Sequence, residues 1–367
     1  LRGGAIVLTI ALSVCLTAAQ SAAAGQIVWN KGDSAIWAMN DDGSNQHQLT
    51  GLPPGMSNAG TPHTAPNGAT VVFEGITSQY AQQWGTHVYK GNYWVGVYKW
   101  EAGTVTRLSP PPSPCTGCEL SQADPEATTD GRYLFISISN RYTGSPPPYN
   151  NDSHGYHLFG SLAGGGFSDF GARACDYASE GTTNPANPSE MAYQGCWNSD
   201  SSNPASTPGT YAVIASGPNR AGEHVLATDD QTIHDPSWNS NGTQLIDVET
   251  GDTPGLVVYR SPTDNTVVLN DPTGGTGDSP FHDPRFAGDR IVFGYQPGDG
   301  TKDLYSIPAS CAGCSFPANA TRLTTDGNNS QPAWTSVASF ATPVVCCTPV
   351  TVLAAVSRLS VVPSVFP

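Results

Sequence analysis

One short segment recurs along the chain and dictates its architecture. It consists of a proline, a few residues, an Asn/Asp-Gly turn and then an apolar run. "PHTAPNGATVVFEG" starts at Pro62, "PEATTDGRYLFIS" at Pro125, "PSWNSNGTQLIDV" at Pro236 and "PRFAGDRIVFG" at Pro284. A contracted copy, "PANPSEMAYQG", starts at Pro185, and "PAWTS" at Pro332 retains only the opening of the unit. The intervals shrink from 63 to 48 residues, as expected of one repeated unit with loops of variable length. Within a unit, further strand-like runs follow the first: after Pro236 come "TQLIDVET", "GLVVYRS" and "TVVLND". Four short strands rich in Val, Ile, Tyr and Phe, separated by turn formers, make an antiparallel blade. In the unit after Pro125 the third strand is expected at "YHLFGSLA" and the fourth near "GARACDY".

The ends complete the count. The final unit keeps its first strand but lacks the rest, and "QIVWN", "SAIWAMN" and "QHQLTG" near the start supply the missing three. The expected fold is therefore all-β, a six-bladed β-propeller of four-stranded antiparallel blades. N-terminal strands pairing with the C-terminal inner strand would close the ring and hide its edges. Composition agrees: 40 Gly, 31 Pro and only 12% charged residues suit a turn-rich β protein.

The residues resemble a known family. "IWAMNDDGSNQHQLT" followed by "TPHTAPNGATVVFEG" is similar to the TolB-type, or WD40-like PD40, propeller repeat, and "LYSIPASCAGCSFPANATRLTTDGNNSQPAWTS" matches it again. The resemblance covers about residues 26–336, strongest at both ends. It implies fold more than activity, because this repeat serves scaffolds, carbohydrate-active enzymes and peptidase gating domains alike. TolB carries an extra domain ahead of its propeller, and no room for one is evident here, so a Tol–Pal role is not expected.

The first 24 residues read as a signal peptide, with Arg2, an apolar run from Ala5 to about Leu16 and the small residues Ala22–Ala24 before Gly25. Residues 25–336 are assigned to the propeller and 337–367 to a C-terminal tail without repeat character. The expected localisation is secreted or periplasmic, and the protein is expected to be a monomer. The apolar run is short for a membrane span. A net charge of -15 repels phosphate backbones and excludes nucleic acid as a natural partner. Eight cysteines remain beyond the leader, and the pairs in "CTGC" (Cys115, Cys118) and "CAGC" (Cys311, Cys314) read as local disulfides. By the repeat alignment these pairs lie on opposite faces, against a shared zinc site. Cys175 and Cys196 flank one blade junction.

The candidate site follows from the same alignment. His234-Asp235, His282-Asp283, Asp124 and Asn184 fall at equivalent places where loops feed the inner strands, so their side chains converge at one mouth of the channel. His63 and Glu126 lie one position deeper. Imidazole and carboxylate in a ring suit a divalent cation, with His234, Asp235, His282, Asp283 and Asp124 as candidate ligands. Asp before Pro also hydrogen-bonds its own turn, which needs no ligand. Trp84 and Tyr89, placed in a loop between the second and third strands, are candidate stacking residues for a sugar or a partner. No Gly-x-Ser-x-Gly elbow is present and no catalytic residue is assigned. The leading reading is a non-catalytic propeller binding a protein or glycan through one face. The alternative, implied by the repeat class, is a metal-assisted carbohydrate-active enzyme resembling polysaccharide lyases and using the channel-mouth histidines.

Overall fold

A computed structural model describes residues 25–32, 34–84, 87–109, 118–142, 151–169, 179–194, 213–216, 224–225, 233–249, 255–261, 264–270, 279–298, 300–337 and 340. The proposed leader, Cys115, Cys175, Cys196 and residues beyond 340 lie outside the described residues.

The described chain is all β, a propeller of small antiparallel sheets. The first sheet holds β1 (Gln26–Lys31), β2 (Ala35–Asn40) and β3 (His47–Gly51), with β25 (Asn329–Thr335) against β1. The second runs β4 (Asn58–Thr64), β5 (Thr70–Trp84), β6 (His87–Glu101) and β7 (Thr104–Arg107). The third runs β8 (Cys118–Ala127), β9 (Arg132–Tyr142), β10 (Asn151–Ser161) and β11 (Ser168–Asp169). The fourth runs β12 (Ser179–Asn184), β13 (Asn187–Gln194), β14 (Val213–Ser216) and β15 (His224–Val225). The fifth holds β16 (Ile233–Trp238), β17 (Leu245–Glu249), β18 (Gly255–Ser261) and β19 (Asp264–Asn270). The sixth holds β20 (Phe281–Ala287), β21 (Arg290–Tyr295), β22 (Asp303–Pro308) and β24 (Thr321–Arg322), and β23 (Cys314–Ser315) joins β19 of the fifth sheet.

The Asn/Asp-Gly signals become the turns after the inner strands. Gly68 and Gly242 take φ of +64° and +68°, where a Cβ is disfavoured. Asn67 Oδ1 accepts from the backbone of Ala69 (2.9 Å) and Thr70 (3.1 Å), and Asn239 does the same for Thr243 (2.9 Å) and Gln244 (3.1 Å).

Alternation along the strands builds the core between sheets. In β1, Ile27 and Trp29 face one way and pack with Ala287, Val292 and Leu304 of the sixth sheet. Val28 faces the other way and packs with Ala59, Val71 and Phe73 of the second. Each fully buried side chain of this size stabilises the fold by about 1.5–3 kcal/mol. A polar network reinforces the first of these junctions. Trp29 Nε1 donates to Asn329 Oδ1 (2.8 Å), and Asn329 Nδ2 donates to Asp303 Oδ1 (3.1 Å). The same carboxylate accepts from Thr324 Oγ1 (2.8 Å), from the Gly327 amide (3.2 Å) and from Arg322.

Three expectations need correction. Trp84 and Tyr89 are not in a loop: β5 and β6 continue past the blade as a long hairpin, with Trp84 paired to His87 and Tyr89 to Gln82. Residues rich in aromatics and β-branches carry the ladder on where a turn was expected. In the third sheet the outer strand is Ser168–Asp169, ahead of "GARACDY". Asn184 is not equivalent to Asp124, because it ends β12 and pairs with Asn187 across the hairpin. The local disulfide expected at "CAGC" is present, and its segment also pairs with the neighbouring sheet. Cys311 and Cys314 form a disulfide pair with Cα atoms 5.9 Å apart, and Cys314 lies opposite Leu269 of the neighbouring sheet. Phe316 then inserts among Phe281, Phe293, Tyr295 and Tyr305.

The tail begins by docking. Phe340 is buried beside Trp100, and its amide donates to Gln26 Oε1 at 2.7 Å.

Candidate functional site at the propeller axis

The proline of the repeat bends five of the inner strands at one spot. Thr61, Asp124, Asp235, Asp283 and Gln331, each immediately before a proline, have φ between 41° and 59°. The ladder to the second strand skips at the same place: between Gly60 and His63, Ala123 and Glu126, His234 and Ser237, and His282 and Arg285. A residue before proline is normally extended, and left-handed backbone here is strained. The bulge frees these residues from the sheet and turns them to the axis. In the fourth sheet the equivalent skip lies between Ser179 and Gly181, so Gly181 stands where proline stands elsewhere.

The bulges are stitched together across blades. Gln331 Oε1 accepts from the Thr61 amide at 2.8 Å, and Asp235 Oδ2 accepts from the Asp283 amide at 2.9 Å. Glu74 Oε2 accepts from the Asp124 amide at 3.4 Å. One step deeper, His63 Nδ1 accepts from the Ala127 amide (3.3 Å), and Glu126 Oε1 accepts from the amide and hydroxyl of Thr183 (2.7 and 2.8 Å). His63 Nε2 faces Glu126 Oε2 at 3.7 Å. With Nδ1 accepting, the ring carries its proton on Nε2, and burial holds its pKa below the usual value despite Glu126. His63 and Glu126 therefore connect neighbouring sheets while they wall the deeper part of the channel.

Electrostatically the axis is crowded. Removal from water pushes the Asp124 carboxyl up to about 7, with Glu74 and Asp235 adding repulsion and Arg285 partly offsetting it. Asp283 is likewise pushed to about 7 by removal from water and by Asp235. Arg285 directs Nη1 to the carbonyls of Pro284 (3.0 Å) and Asp235 (3.4 Å).

Above this layer opens a cavity of about 270 Å3, lined among others by Asp235, His282, Asp283, Tyr295, Lys302 and Gln331. Tyr295 ends a second strand, Lys302 precedes a third, and His282 and Gln331 lie in inner strands. This places the cavity on the face where the inner strands enter, the same face from which the β5–β6 and β9–β10 hairpins extend. Its walls offer carboxylate, amide, ammonium, phenol and imidazole groups, the set that hydrogen-bonds hydroxyl-rich ligands.

Of the expected residues, Asp124, Asp235, Asp283, His63 and Glu126 converge around the axis, and His282 lines the mouth. His234 is placed in β16, and the side chains of His234, Trp84 and Tyr89 are outside the described residues. Glu74, Arg285, Tyr295, Lys302 and Gln331 were not expected. Arg285 was within reach, since it follows the repeat proline as His63 and Glu126 do. Among the described residues no three His, Cys, Asp or Glu groups gather to hold a metal ion, and a guanidinium occupies the acidic layer.

No family model and no curated protein matches the sequence. Among solved structures, a putative TolB from Agrobacterium tumefaciens aligns at a TM-score of 0.50 and 9% identity, over 84% of this chain and 90% of that one. An oligogalacturonate lyase from Vibrio parahaemolyticus aligns at 0.47 and 10% identity, over 83% of this chain and 82% of that one. An oligogalacturonate lyase in complex with manganese aligns at 0.47 and 10% identity, over 75% and 68%. At such identities the likeness concerns the fold and not the activity. With its repeat, its blades and this likeness together, the chain has the TolB-like β-propeller fold.

Proposed function

We propose that this chain is an exported, non-catalytic six-bladed propeller that binds a glycan at the mouth of its channel. The observation that carries the reading is the cavity of about 270 Å3 with its ring of hydrogen-bonding groups from separate strands. Carboxylates and amides accept from pairs of sugar hydroxyls, while Lys302 and Tyr295 donate to ring and hydroxyl oxygens. Closure of the ring is part of the proposal. It is supported by the antiparallel pairing of β25 with β1, and by contacts of β25 with β20 on one side and β4 on the other. A closed ring holds the mouth residues on rigid strands, which lowers the ordering cost of binding. Export rests on the leader-like first 24 residues.

A panel of neutral and acidic oligosaccharides titrated calorimetrically against the purified chain tests the reading. Binding of at least one sugar, weakened about tenfold or more by Lys302→Ala or Asp283→Ala, is expected, the loss of one or two charged hydrogen bonds. Sugar binding that ignores both substitutions, or no binding across the panel, would count against it.

A further inference from the structure

We propose that Arg285 is the chain's own counter-cation at the axis, and that its guanidinium supplies beside Asp124, Asp235 and Asp283 the positive charge a divalent metal ion would otherwise bring. Carboxylates gathered near a channel mouth suit a divalent cation by their chemistry. The donor set here argues for a different solution. The repeat delivers the residue after each proline to the same inner layer: His63 in the second sheet, Glu126 in the third, Arg285 in the sixth. Arg285 is thus built into the wall at a fixed position rather than reaching in from a loop.

Three observations place its charge. It lines the deeper pocket together with Asp124, Asp235 and Asp283. Nη1 is tied to the Pro284 and Asp235 carbonyls at 3.0 and 3.4 Å, which pins the guanidinium between the fifth and sixth sheets. Its field favours the charged forms of Asp124 and Asp283 and disfavours a charged His63.

Metal binding demands another arrangement. Calcium needs six to eight oxygens at about 2.3–2.6 Å, and manganese or magnesium an octahedral set. Asp235 Oδ2 is instead committed to the Asp283 amide, which takes one of the carboxylate oxygens a metal would use. The space left in the deeper pocket is about 50 Å3, enough for a water or two beside the guanidinium. A metal ion entering there would meet a fixed positive charge, which cannot be deprotonated to make room. The consequence for function is that ligands are recognised at the mouth by hydrogen bonds, with no metal beneath them.

The test dialyses the full chain against MnCl2 and counts bound manganese by atomic emission, for wild type, Arg285→Lys and Arg285→Met. Wild type and Arg285→Lys are expected to retain none at the axis. Arg285→Met is expected to gain about one ion per chain, as a neutral residue uncovers the carboxylates, and to lose it when Asp235→Asn and Asp283→Asn are added. Wild type holding one manganese per chain that Asp283→Asn releases would overturn the proposal. So would a folded Arg285→Met chain that takes up none. Should Arg285→Met fail to fold, the wild-type and Arg285→Lys counts decide alone. The readout is metal content, so failure of sugar binding leaves this result standing and the reverse holds equally.

Discussion

Asp303 and Asp283 belong to the same sheet and meet opposite fates. Asp303 sits in β22, is buried, and accepts from Thr324, Gly327, Asn329 and Arg322. Asp283 sits at the bulge of β20, faces Asp235 and Asp124, and shares one guanidinium with them. The first carboxylate is saturated with donors, so its charge is spent on holding the sixth sheet to β25 and, through Asn329, to Trp29. The second is short of donors, so its charge stays available to whatever enters the cavity above. Asp303 is buried and Asp283 half-buried, so neither carboxylate is freely hydrated. The difference lies in the number of donors supplied, and that separates a structural aspartate from a site aspartate.

The largest effect should come from breaking the saturated site. Asp303→Ala leaves the Asn329 amide, the Thr324 hydroxyl, the Gly327 amide and one guanidinium without their acceptor. A loss of about 3–4 kcal/mol in chemical denaturation is expected. A loss under about 1 kcal/mol would show that water replaces the carboxylate and would erase the contrast.

The crowded site should reveal itself through pH. Asp124 and Asp283 titrate near 7 in the folded chain and near 3.8 when unfolded. Between those values the folded state holds more protons, so stability is fully present below about 4 and declines as pH rises through about 7. The slope contributed by each proton is at most about 1.4 kcal/mol per pH unit. Asp283→Asn should flatten the decline and raise stability at pH 8, measured by urea melts across pH 4–8. A slope unchanged in that variant would remove Asp283 from the site's electrostatics.

The smallest effect belongs to the neutral side of the axis. Gln331→Ala removes the acceptor of the Thr61 amide and of Asn30 Nδ2, for an expected cost of about 1 kcal/mol and no change in pH slope. A change in slope there would mean that the neutral and acidic halves of the ring are coupled.

Much of this fold was legible in the chain. The Pro and Asn/Asp-Gly pattern located the inner strands and their turns, and the bare "PAWTS" pointed to β25 beside the N-terminal strands. The weak unit misled because its only fitting proline, Pro185, lies in a hairpin turn, while Gly181 occupies the repeat's proline position. Trp84 and Tyr89 looked like loop residues because aromatic runs do not announce where a blade ends. At the axis, the aspartates and His63 were identified by their place before or after the proline. Glu74 lies on a second strand with nothing in its sequence context to mark it.

The sequence by itself determined the repeat, the strand periodicity and the charged residues delivered to each inner strand, because these follow from local spacing and turn chemistry. Only the tertiary structure decided which charges meet. The left-handed bulges point side chains from strands 48 or more residues apart at one axis, and the donors available at each carboxylate then depend on neighbours from other sheets. Such donor counts are a property of packing, and they make Asp303 a fastening and Asp283 part of a site.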